Sequence, residues 1–302
     1  MSRKKQTHWI ALMGRIAHTA EGLKYIPVKI TEGPNKGQFS ICLAKSSYEF
    51  ESGTVQFKVK LKDRDSQLMV GFNHGSGEEV YAGIGFGATA YVISLFSNNK
   101  WEPLAGAGFG ERPPADTDID VEVRVNGSRI DLLINSVIVC TAYYKIRPCQ
   151  VALLMQGNKE MLVRGITVRP QKPTAFIVIQ YTDEFNALYN EVIRPTCESY
   201  GLQAIRAADI YSTGQILEDI VRSIQECFVI IADVTPNNPN VFYEVGYAHG
   251  MGKATILLCD RKRDRLPFDI SGFRTLFYDN TIGGKSAIES TLAKHLQALT
   301  HR

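Results

Sequence analysis

Hydrophobic and polar positions follow two different patterns along this chain. From about Thr7 to Val168 they mostly alternate. Gly53 to Leu61 alternates with period two, and so does Ile119 to Val125, as expected of half-buried strands. Asn126-Gly127 follows the second of these, the strongest short hairpin signal, and the patterns Ile130 to Ile134, Val137 to Thr141, Gln150 to Met155 and Leu162 to Val168 complete the set. Helical spacing is missing throughout, so this half is expected to be an antiparallel β-sandwich.

After the polar segment Pro170-Gln171-Lys172-Pro173 the pattern changes. Phe176 to Ile179, Gln203 to Arg206, Phe228 to Ala232, Ala254 to Cys259 and Thr275 to Tyr278 read as strands, several of them continuously apolar. Between them, Phe185, Leu188, Tyr189, Val192 and Ile193 keep helical spacing, as do Ile216, Leu217, Ile220, Val221 and Ile224. Ile288, Leu292, Leu296 and Leu299 line a closing helix. Alternating β and α elements predict a doubly wound parallel sheet of flavodoxin-like type. The expected division is a sandwich over residues 1–169, a hinge at 170–173 and an α/β domain over 174–302.

Composition narrows this picture modestly. The chain has 302 residues, enough for two cores, and a net charge of +3 that is too weak to predict nucleic-acid binding. No apolar run reaches the roughly 20 residues of a membrane-spanning helix, and His8, Arg15 and His18 interrupt any signal-peptide core. The six cysteines include no CxxC pair. A reduced, cytoplasmic protein without membrane or nucleic-acid partners is the expectation, and no metal site is expected.

The candidate chemistry lies in Phe228 to Cys259. An apolar strand ends at Asp233, an Asn/Pro loop follows, and a helix then carries Val241, Val245, Ala248 and Gly252 at i, i+4, i+7 and i+11. Glu244 lies beside that stripe. In parallel sheets ligands bind beyond the carboxyl ends of strands, so Asp233 and Glu244 are both expected there. Burial would raise the Glu244 pKa and the helix N-terminus would favour its charge; as a solvated helix residue it would do neither. Gly246, Ala248 and Gly250 would let a ligand approach. Tyr181 and Thr182 follow the first strand. Ser212 and Thr213 follow the second, where backbone N–H groups could meet a phosphate or a side chain could cap the next helix. Asn237 and Asn240 could hold hydroxyl or amide groups of a substrate, and Asn240 could equally be the helix N-cap. Asp116, Asp118 and Asp120 are read as one polar strand face, because the glycine and closing glutamate of a calcium loop are absent. Trp9, Trp101 and Tyr91 could stack on a sugar or fill the sandwich core.

Two resemblances add function to these patterns. The fragments FESGTVQFKVKL, YAGIGFG, DIDVEVRVNGSRIDLLINSVIV and CQVALLMQG resemble concanavalin A-like jelly rolls of the laminin-G and lectin kind. That resemblance implies a glycan, protein or small-molecule ligand, or self-assembly. The run ADVTPNNPNVFYEVGYAHGMGKATILL is similar to nucleoside 2-deoxyribosyltransferase-like and Toll/interleukin-1 receptor (TIR) domains. That resemblance implies a nucleotide N-glycosidase, with NAD hydrolysis first. Glu244 would be the nucleophile or oxocarbenium stabiliser, Asp233 the strand-end acid, and Tyr243 a substrate contact. It needs no cofactor, NAD being a substrate, and suggests a homo-oligomer. By architecture it suggests a bacterial defence effector governed by the N-terminal domain. The alternatives are a non-catalytic nucleotide-signal or TIR-type assembly module, and a deoxyribosyltransferase or deoxynucleotide N-hydrolase.

Overall fold

The computed structural model describes residues 8–209, 216–263 and 265–300. Contacts divide the chain into two compact units, the first running to Val125 and from Arg129 to Gln171, the second comprising Asn126–Ser128 and the chain from Lys172.

The first unit is an antiparallel sandwich of two sheets. Its strands are β1 (Trp9–Met13), β2 (Ile16–His18), β3 (Gly22–Tyr25), β4 (Cys42–Phe50), β5 (Gly53–Lys60), β6 (Gln67–Phe72) and β7 (Glu78–Phe86), then β8 (Thr89–Ser97), β9 (Lys100–Phe109), β10 (Asp118–Asn126), β11 (Arg129–Ile134), β12 (Val137–Tyr143), β13 (Cys149–Gln156) and β14 (Met161–Pro170). One seven-stranded sheet runs β1-β4-β13-β6-β7-β8-β9 and the other β12-β11-β10-β5-β14-β3-β2. The period-two patterns account for the core directly. Val55, Phe57 and Val59 of β5 and Val121, Val123 and Val125 of β10 all point inward and are buried. Phe50 stacks on Phe72 with ring centroids 5.2 Å apart.

The turns follow local chemistry. Gly127 has φ +58° in the Asn-Gly hairpin, and Asn135 and Ser136 have φ +49° and +67° between β11 and β12, the two left-handed residues of a type I′ turn. Trp9 belongs to the core and Tyr91 packs against it. Trp101 lies against Tyr81 and Phe96, at 5.1 and 4.9 Å.

The second unit is the expected parallel α/β sheet. Its strands are β15 (Thr174–Val178), β16 (Gln203–Arg206), β17 (Val229–Asp233), β18 (Thr255–Asp260) and β19 (Thr275–Tyr278), in the order β16-β15-β17-β18-β19, all parallel. Its helices are α1 (Asp183–Leu188), α2 (Arg194–Ser199), α3 (Ile216–Glu226), α4 (Pro239–Gly250), α5 (Phe268–Ser271) and α6 (Ile282–Thr300). Alternate residues of each strand feed two cores. Ala175, Ile177, Val229, Ile231, Ile256 and Leu258 face α1, α2 and α6. Phe176, Val178, Ile230, Ala232, Leu257 and Cys259 face α3 and α4. A single π-helical turn, Tyr189–Ile193, joins α1 to α2 just before Pro195, whose missing N–H breaks the regular ladder. Among the described residues no helix is long and apolar enough to cross a membrane.

Replacing Phe57, which is 1% exposed, should show how far the alternating pattern carries the sandwich. Phe57→Ala is expected to lower stability by about 3–5 kcal/mol, measured by urea unfolding of the full chain.

Candidate active site

The strand order places a change of chain direction between β15 and β17, and a crevice is expected beyond their carboxyl ends. A cavity of about 670 Å³ lies there. Gln180 and Tyr181 come from the loop after β15, Ala207 and Ala208 from the end of β16, and Asn238 from the loop after β17. Asn240, Val241, Tyr243 and Glu244 come from the first half of α4, and Ile216, Leu217, Asp219 and Ile220 from the start of α3.

Helix α4 is built as its sequence requires. Pro239 occupies the first turn, where its missing N–H costs nothing. The N-cap is Asn238, whose side-chain Oδ1 accepts the Asn240 N–H at 3.0 Å. Asn240 is therefore not the cap, and its side chain is left for the cavity wall. Val241, Val245 and Ala248 are buried against the sheet. That anchoring turns Glu244, three residues after Val241, toward the cavity. Gly246 and Gly250 are absent from the wall, and Ala248 is core, so these small residues open no path to the ligand.

Glu244 is half-buried, and burial alone pushes its carboxyl up to about 7. Tyr181 stands at the rim, half-exposed, its phenolic oxygen accepting the Ala208 N–H at 3.1 Å. Burial raises the phenol, the backbone bond lowers it and the Glu244 charge raises it again. Arg206 lies beside the Tyr181 ring, its guanidinium 5.9 Å from that centroid and 4.1 Å from the Tyr189 centroid, and bonds Asn186 Oδ1 at 2.9 Å. Burial alone would raise the Asp209 carboxyl, but its bonds to Arg206 hold it below the ordinary range.

The remaining expected site residues are scattered. Asp233 is fully buried and does not line the cavity. Its Oδ1 accepts the Thr235 N–H at 2.9 Å and its Oδ2 accepts the Tyr278 hydroxyl at 2.8 Å. Burial pushes it up to about 6, against these bonds. The expectation that Asp233 stands at the ligand-facing edge is thus corrected: its oxygens are occupied in holding the end of β17. Thr182 lines a separate cavity of about 640 Å³ with Thr235, Lys262 and Arg263. The Asn237 Oδ1 accepts from Arg263 Nη2 at 2.5 Å, so this side chain braces the loop. Ser212 and Thr213 lie outside the described residues. His249 stacks on Phe273, centroids 3.9 Å apart.

One acidic residue of the cavity wall is not evident from the pattern of the chain. Asp219, in the first turn of α3, lines the same cavity as Glu244 and pairs with Arg222 at 3.7 Å. Only its place after the second strand, where α3 starts at the ligand edge, could have pointed to it.

Two titration experiments follow. The Glu244 carboxyl has its folded value above the ordinary 4.5, so the stability tied to its neutral form is complete below that value and lost as pH rises through about 7. Glu244→Gln, neutral at every pH, should therefore melt higher than the parent at pH 8 and equally at pH 4.5, by about 1–2 kcal/mol once its partial exposure is allowed for. Tyr278→Phe should cost about 1–3 kcal/mol by leaving one Asp233 oxygen without a donor. That loss should be larger at pH 8 than at pH 5 in denaturant unfolding, since only the ionised form suffers fully.

No family model matches the chain, and no curated protein matches it. Solved structures do. A carbohydrate-binding module from Bacillus subtilis is 13% identical, with a TM-score of 0.43, over 52% of this chain and 92% of that one. A beta-glucanase from Bacillus licheniformis is 12% identical, with a TM-score of 0.37, over 56% and 95%. A homodimeric agglutinin from chicken liver is 12% identical, with a TM-score of 0.31, over 42% and 98%. None of these is a TIR or deoxyribosyltransferase protein. The TIR- and deoxyribosyltransferase-like membership expected from the Glu244 motif is corrected accordingly, and with it go the NAD and nucleotide N-glycosidase activity, its nucleotide-binding and base-exchange alternatives, and the defence role.

Proposed function

We propose that the α/β unit hydrolyses a glycosidic C–O bond in a small sugar-containing substrate held in the Glu244 cavity. The observation that carries this reading is a carboxyl raised to about 7 on the wall of a 670 Å³ cavity that also holds a second carboxylate, Asp219. Pairs of acidic side chains in different environments are what acid–base chemistry on an acetal uses. Glu244, desolvated and without a facing cation among the described residues, keeps its proton near neutral pH and donates it to the departing oxygen as the C–O bond breaks. Asp219, paired with Arg222, is the carboxylate that stabilises the positive charge developing on the sugar carbon and takes the proton of the incoming water. The rings of Tyr181 and Tyr243 at the rim offer apolar faces for a sugar ring, and the amides of Gln180, Asn238 and Asn240 offer partners for its hydroxyls. Asp233 acts at one remove, by holding the strand end from which the Asn238 loop departs.

The test is a panel of chromogenic aryl glycosides and short oligosaccharides, incubated with the full chain across pH 4.5 to 8. Turnover should fall as pH rises through about 7, where Glu244 loses its proton. Glu244→Gln and Asp219→Asn should each lower it by about 10²–10⁴-fold. Turnover by Glu244→Gln equal to that of the parent, or no hydrolysis of any glycoside at any pH in that range, would overturn the proposal.

A further inference from the structure

The sandwich carries a second feature that this reading does not use. In the pairing of β14 with β5, Arg164 lies opposite Lys58 and Thr167 opposite Gln56. Two residues, Gly165 and Ile166, therefore face one, Phe57. This is a β-bulge, and Gly165 takes the left-handed φ of +59° that such a bulge requires. Nothing lies within 4 Å of where a Gly165 Cβ would stand. The bulge opens a pocket of about 430 Å³ on the sheet's outer face, lined by Gln56, Lys58, Asp120, Arg164, Thr167 and Arg169.

The charges of this face do not cancel. Lys58 pairs with Asp120 at 3.3 Å, Arg124 with Glu122 at 2.5 Å, and one edge of Arg164 with Asp118. Each acid contributed by β10 thereby has a cationic partner, although Asp120 Oδ1 is itself buried without a hydrogen bond and so can accept one from a ligand hydroxyl. Left over are Arg169, which has no ion pair among the described residues, and the Nε of Arg164, which is buried without a hydrogen-bond partner. A buried guanidinium N–H without an acceptor is costly, and pockets that leave one are completed by a ligand or water. Arg169 offers a whole guanidinium fork and Arg164 a single Nε–H beside it in the lining, a donor set that suits the two oxygens of a planar anion. The pocket is larger than a bare anion needs, and Gln56 and Thr167 add neutral hydrogen-bonding groups.

We propose that this pocket binds a carboxylate-bearing sugar of the uronic-acid class, its carboxylate between Arg164 and Arg169 and its hydroxyls on Gln56 and Thr167.

Calorimetric titration of the full chain with trigalacturonate tests this, beside its methyl ester and inorganic phosphate. One-to-one binding of the acid form is expected, weakening as salt is raised. Arg164→Gln and Arg169→Gln should each weaken it by about tenfold. Arg169 is exposed, so its variant keeps the test valid if the Arg164 variant does not fold. Absent binding of trigalacturonate, equal binding of the ester, or affinity unchanged in a folded variant would overturn the proposal. Phosphate binding as tightly as the trimer would overturn its sugar component.

Discussion

The buried carboxyl of Asp233 constrains the whole ligand edge of the α/β unit. A fully buried acid at the end of a central strand must find donors nearby, because leaving it unpaired costs as much as a substantial part of a domain's net stability. It finds them in the Thr235 backbone N–H and the Tyr278 hydroxyl, at 2.9 and 2.8 Å. The Tyr278 bond ties β17 to β19 across β18, and the Thr235 bond fixes the direction in which the chain leaves the sheet. Thr235 continues the arrangement, its hydroxyl accepting the N–H of Asp260, at the end of β18, at 2.8 Å. Arg263 then clasps the carbonyls of Val234 and Thr235 and the side chain of Asn237. The loop arrives at Asn238 with little freedom left, α4 starts there, and Glu244 is delivered to the cavity wall.

Two acids only eleven residues apart thus take opposite parts. Burial raises both, Asp233 to about 6 and Glu244 to about 7. Asp233 has bonds that offset the cost of burial and so serves the framework. Glu244 has burial as the sole cause of its shift, which leaves its proton available for exchange with whatever occupies the cavity. Environment, not residue type, separates the carboxyl satisfied by the framework from the one that faces the cavity.

The same contrast separates the two halves of the chain. In the sandwich, alternating residues place Phe57 and Val121 inside and Lys58 and Asp120 outside, where those two pair across neighbouring strands. The bulge at Gly165 interrupts this matching locally. One extra residue leaves Gly165 and Ile166 together facing Phe57, between the paired Arg164 and Thr167, and a pocket appears where the ladder is broken. In the α/β unit the binding edge comes from the topology itself, since every strand ends on the same side.

Much of this was legible in the chain. Period-two alternation from Gly53 to Leu61 and from Ile119 to Val125, with Asn126-Gly127 between strands, determined the sandwich, because a half-buried pleated strand tolerates no other spacing. Continuous apolar runs alternating with helical spacing determined the parallel sheet, and the stripe Val241, Val245, Ala248 determined which way Glu244 turns. A family assignment from the residues around Glu244 went further than those residues support, because aromatic, acidic and small residues at helical spacing also describe an ordinary sheet-packing helix. Tertiary structure alone decided that Asp233 is sealed by Tyr278, 45 positions away, that Asn238 and not Asn240 caps α4, that Asp219 shares the Glu244 cavity, and that Arg164 is left with an unpaired N–H. Each of these depends on which distant groups meet once strands are ordered and registered. Local spacing specifies a residue's face, whereas its partners, and hence its charge and chemistry, are set by the rest of the fold.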